Sequence, residues 1–152
     1  MKLTKEEEFR LIYSWDMILS IEDFINCVGL HKMDLISPRN IGFMNFIQFF
    51  QNNKNFNPAG VLKDYIYLEA NSFFQYAKVL KKRYQNMSKL PDYLEDLRDF
   101  RNKVVAHKDS EEHYKSLEDW QKAHNKINKI IPIPKLIKDV DEYYKKVMPN
   151  AY

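Results

Sequence analysis

The chain has 152 residues, 45% hydrophobic and 30% charged, with a net charge of +3. This is the size and balance of one ordinary domain able to bury a single core, and the charge surplus is too small to announce nucleic-acid binding by itself. Three glycines in the whole chain, Gly29, Gly42 and Gly60, leave tight hairpins, a glycine-rich phosphate loop and a many-turned β fold without their raw material, so helices are expected.

The basic surplus is central. Residues 61 to 108 hold ten basic and six acidic side chains, whereas the first sixty residues are mildly acidic. Cys27 is the single cysteine and sits on an apolar helical stretch, so it forms no internal disulfide and reads as a buried, inert thiol in a reducing, cytoplasmic setting. Met1 to Glu8 is charged and lacks the apolar core of a signal peptide. No run approaches 18 apolar residues, so no membrane span is expected.

In chain order, Thr4 with Glu7 three residues on reads as a capping box, and Glu6 to Glu8 suit the positive end of a helix dipole. The first helix that follows carries the stripe Leu11, Trp15, Ile18, Ile21, Ile25 and Val28, with Gly29 as a stop. Ser37-Pro38 opens a short second helix through Phe43, Phe46, Ile47 and Phe50. It is apolar nearly all round and must be covered by the core or by a partner subunit. After the polar turn Gln51 to Pro58, the positions Leu62, Ile66, Ala70, Phe73, Ala77, Leu80 and Tyr84 step by three and four, the clearest helix of the chain. Lys81-Lys82-Arg83 occupies its last turns, where cations meet the negative end of the dipole.

Leu90-Pro91 opens a fourth helix, with Asp92, Glu95 and Asp96 early and the stripe Tyr93, Leu97, Phe100, Val104, His107. Ser116 with Asp119 caps a fifth, striped by Leu117, Trp120, His124, Ile127 and Ile131, and Pro132 and Pro134 break it. A sixth carries Ile137, Val140, Tyr144 and Val147 and ends at Pro149. With no repeat, low-complexity tract or linker, the expectation is an all-α chain, a single domain over 1–152: an antiparallel bundle of about four long helices plus short ones.

Chemistry concentrates in Arg101-Asn102-Lys103-Val104-Val105-Ala106-His107. An arginine, a polar residue and a histidine after a short spacer, on a late helix of a bundle, resemble the signature of the HEPN superfamily, and the flavour of the segment is similar to its abortive-infection and toxin-like branch. Arg101, Asn102 and His107 match the motif. Lys108 and Asp109 are not carried over as catalytic. The resemblance implies metal-independent cleavage of RNA by internal attack of a ribose 2′-hydroxyl, without a cofactor, usually in a homodimer that brings two motifs together.

The residue types suit that chemistry. A histidine near neutrality exchanges protons with the attacking and leaving oxygens, a guanidinium holds the phosphorane's charge in a planar fork, and Asn102 can orient either. On an ideal helix, however, six steps leave Arg101 and His107 roughly 120° apart. Either the helix loosens after Val105, or the two meet through a second subunit, or His107 is a core or capping residue and Arg101 a surface one. A homodimer whose interface includes the fourth helix is therefore expected.

The other candidates are weaker. His124, between Trp120 and Ile127 on an apolar face, reads as a hydrogen-bonded core histidine. His31 and His113 have no partner at metal-ligand spacing, so no metal site is expected. Lys81, Lys82 and Arg83, with Lys103 and Lys108, are weak RNA-backbone contacts beside their reading as a solvated helix end. Tyr143 and Tyr144 pack against the first or third helix rather than stack a base. The alternative to a nuclease is a catalytically silent HEPN-type module that binds a nucleotide or a partner protein, such as a nucleotidyltransferase-like antitoxin.

Overall fold

The computed structural model describes residues 2–27, 58–104 and 117–149, and among them every regular element is helical. There are five: α1 (Lys5–Cys27), α2 (Pro58–Arg83), α3 (Leu94–Val104), α4 (Leu117–Ile130) and α5 (Ile133–Val147). Val28, Gly29, the helix expected after Ser37-Pro38, His107, Lys108 and Ser116 lie outside the described residues.

The start of α1 follows its sequence signal. The Thr4 backbone N–H donates to Glu7 Oε2 at 2.9 Å, and the Glu7 N–H donates to Thr4 Oγ1 at 3.2 Å, the reciprocal pair of a capping box. Leu11, Ile18, Ile21 and Ile25 are buried as their spacing requires, while Trp15 is half-buried. Its indole ring stacks on Tyr144 of α5 at 4.2 Å, and its Nε1 donates to Asp141 at 2.9 Å. An indole on a core stripe is thus satisfied at the edge rather than sunk into the middle.

Helix α2 is the central element, packed by α1, α3 and α5. It begins at Pro58, earlier than the stripe from Leu62 alone indicates, and proline suits a first helical turn because its missing N–H has no helical partner there. The expected stripe of Ile66, Ala70, Phe73, Ala77 and Leu80 is buried, and so are Tyr67 and Phe74 on a second flank. That second flank exists because α3 packs on it. Phe74 meets Tyr93 edge to face at 6.3 Å, and Tyr67 meets Phe100 at 5.1 Å.

Helix α3 starts at Leu94 rather than at Pro91, with a turn before it. Tyr93, at the edge of that turn, is held by its phenol donating to Asp139 of α5 at 2.7 Å. The Ser88 carbonyl accepts from both Lys81 and Tyr143, at 3.3 Å each, and ties the α2–α3 connection to α5. The break at Pro132 separates α4 from α5, with Pro134 inside the first turn of α5. Tyr143 and Tyr144 are core residues as expected: Tyr143 packs against Phe73 and Phe74 of α2, and Tyr144 against Trp15 of α1.

Candidate functional site

Arg101 and Asn102 occupy the last turn of α3, where the carbonyl end of the helix favours a cation. Arg101 is exposed, and its Nη1 donates to Asn102 Oδ1 at 3.0 Å. Asn102 therefore touches the guanidinium, as an orienting amide would, and leaves most of the fork's five donors to solvent. Lys103, beside them, is exposed.

Beneath this surface the site is built on Phe100. Its buried ring meets Tyr67 and His124 edge to face, each at 5.1 Å. His124 Nε2 lies 3.0 Å from both carboxylate oxygens of Asp64, which fixes α4 against the N-terminal half of α2. Histidine and aspartate are only slightly exposed, and the pair carries attraction of opposite charges when the imidazole is protonated. The expectation of a hydrogen-bonded histidine on an apolar face holds, and the structure supplies its partner.

Tyr67 adds a second tie. Its hydroxyl is 2.8 Å from both Asn128 Oδ1 and the Ile131 carbonyl. A phenol has one proton for two acceptors, so both contacts are satisfied when the Asn128 amide turns to donate its Nδ2–H. Burial pushes the Tyr67 phenol well above the ordinary tyrosine range, with the nearby Asp64 carboxylate adding to the effect. The hydroxyl is thus a fixed neutral donor to a carbonyl at the end of α4, a group that the helix itself leaves unpaired.

The remaining expected contacts separate. Arg83 pairs with Glu7, and Lys81 donates to Ser88, so two of the three cations at the end of α2 serve the fold, while Lys82 is exposed. Glu7 is buried and also accepts from the Tyr84 hydroxyl at 2.9 Å. The Thr4 N–H above all, with Tyr84 and Arg83, holds the Glu7 carboxyl below the usual range against the opposing effect of burial. Lys103 and Lys126 border a hollow of about 20 Å³ between α3 and α4, too small for a nucleotide. Among the described residues no group of three or more histidine, cysteine or acidic side chains is placed to hold a metal ion, and no helix is long and apolar enough to cross a membrane.

The sequence singles out Arg101, Asn102 and His124, and it gives no sign of the partners Asp64 and Asn128. Sixty positions separate Asp64 from His124, and no local spacing encodes that pairing. The available signal was a histidine on an apolar stripe, which needs a polar partner from another element. His107 and Lys108 lie outside the described residues, so the arrangement joins Arg101 to Asn102 and says nothing of the third motif residue. No family model, no curated protein and no solved structure matches this chain.

Proposed function

We propose that the chain is a HEPN-like, metal-independent endoribonuclease acting in the manner of a toxin or antiviral effector, with Arg101, Asn102 and His107 as its reacting groups. One observation carries this reading. The two motif residues that are described stand together at the exposed end of α3 in an all-helical bundle, the Arg101 fork in contact with Asn102 and still open to solvent. In the reaction the 2′-oxygen of a ribose bonds to the adjacent phosphorus as its proton leaves to a base. The bond from phosphorus to the 5′-oxygen breaks, and that oxygen takes up a proton, leaving a 2′,3′-cyclic phosphate and a 5′-hydroxyl. The histidine moves the protons, and Arg101 binds the two non-bridging oxygens as their charge grows.

The test is cleavage of single-stranded RNA by the purified protein, with and without EDTA. His107→Ala should lower the rate by roughly 10²- to 10⁴-fold with melting unchanged. Arg101→Lys should also fail, because a point charge does not replace a bidentate fork. Wild-type rates in a folded His107→Ala protein would overturn the proposal.

A further inference from the structure

The described residues leave an aromatic face uncovered on the side of α1. Phe9 is 64% exposed, Tyr13 51% and, on the neighbouring α2, Tyr65 41%. The Phe9 and Tyr13 rings lie 6.3 Å apart, and Arg10 sits over the ring of Tyr76 at 5.1 Å. A groove of about 340 Å³ follows the seam between the helices, lined by Phe9, Arg10, Tyr13, Ser72 and Tyr76. Large aromatic side chains exposed together in this way are characteristic of an interaction surface.

Charge decides between occupants. Lys5, Phe9, Tyr13, Asp16, Ser20 and Asp23 are all exposed, and on an ideal helix they fall within an arc of roughly 80°. The strip is basic at its start and acidic at its end. Asp16, Asp23 and the neighbouring Glu69 would repel the phosphates of a nucleic acid or an anionic lipid. A second copy of α1 running antiparallel reverses the order of charges. One register then sets Lys5 over the partner's Asp23, Phe9 over the small Ser20 of the partner, and Tyr13 beside the partner's Asp16, where its hydroxyl can donate. Each contact occurs twice, as a twofold axis demands.

We infer that the protein forms a homodimer through antiparallel pairing of its α1 helices across this aromatic strip. The expectation of an interface on α3 has weaker support, because Glu95, Arg98, Asp99, Arg101 and Lys103 are exposed there without a large apolar anchor. Around α2, Tyr65 on the aromatic side and Tyr67 against Phe100 are two positions, hence roughly 200°, apart, so α3 packs well away from the strip. The pairing does not join the two Arg101 side chains across the twofold axis, and the inference does not rest on the nuclease reading.

Sedimentation equilibrium on the full chain tests it. The wild type should be a dimer at micromolar concentration, and Phe9→Glu should weaken association by roughly thirtyfold or more, as loss of a central aromatic anchor does, with helix content kept. Lys5→Glu and Asp23→Lys should each weaken it by about three- to tenfold alone. Mixed one to one, those two variants should recover the wild-type constant, because each new charge then faces its opposite on the other chain. A monomeric wild type, or a dimer indifferent to Phe9→Glu, would overturn the inference; failure of the mixed variants to recover would overturn the antiparallel register.

Discussion

The two ends of α2 are both tied by a carboxylate, and the ties differ in kind. At the C-terminal end Glu7 meets Arg83, Tyr84 and its own helix start, all within the α1–α2 pair. At the N-terminal end Asp64 meets His124, and Tyr67 meets Asn128 and Ile131, joining α2 to a helix sixty positions away. The first tie uses a permanent cation and a local cap. The second uses a titratable ring and a buried phenol, and it supports the layer on which Arg101 and Asn102 stand. The part of the molecule that carries the candidate chemistry is therefore held by a histidine–carboxylate pair and a buried phenol, where the α1–α2 pair is held by a permanent cation and a cap.

The strongest way to break that contrast is Phe100→Ala, which removes the ring lying between Tyr67 and His124. Denaturant unfolding should show a loss of about 3–5 kcal/mol, and the proposed RNA cleavage should fall at temperatures where the core helices are still formed. A loss of only a few tenths would mean that α3 is held elsewhere. Tyr67→Phe keeps the ring and deletes only the hydroxyl, so it should cost about 1–3 kcal/mol for a carbonyl left without its donor. A neutral result would show water taking the phenol's place.

At the other end of α2, Thr4→Ala removes half of the capping box and should cost about 1 kcal/mol, read as a lower melting temperature with no change in the proposed RNA cleavage. The smallest effect concerns pH. Because Glu7 is held below its unfolded value, its contribution is fully present above the ordinary carboxylate range and is lost as pH falls through the lowered value. Arg83 is largely exposed, so solvent screens that partner and the slope should be shallow. Glu7→Gln should flatten the acid limb of the melting temperature; an unchanged acid limb would sink the assignment. In the alkaline direction the sign reverses. Burial pushes the Tyr143 phenol up to about 12, so its contribution is complete below pH 10 and is lost as pH rises through the folded value. The share of tyrosinate absorbance that Tyr143→Phe removes should then appear together with unfolding.

Much of the fold was legible in short spacings. The box of Thr4 and Glu7, the three-four stripes of α1 and α2, the cationic end of α2, the proline break before α5 and the burial of Tyr143 and Tyr144 follow from rules that act within a few residues. Boundaries were less legible: α2 begins four residues before its first striped position, and α3 three residues after Pro91. Propensity near a proline allows both a turn and a first helical turn, and packing chooses between them.

The local sequence by itself determined that this chain makes amphipathic helices and which stripe of each turns inward, because periodicity and capping are local and apolar burial has a single sign. Only the tertiary structure decided that α2 buries a second flank against α3, that Arg83 belongs to Glu7 rather than to an open basic face, and that His124 belongs to Asp64. Those outcomes depend on which helix lies beside which. A polar side chain's partner is set by that neighbourhood, and no spacing along one helix contains it.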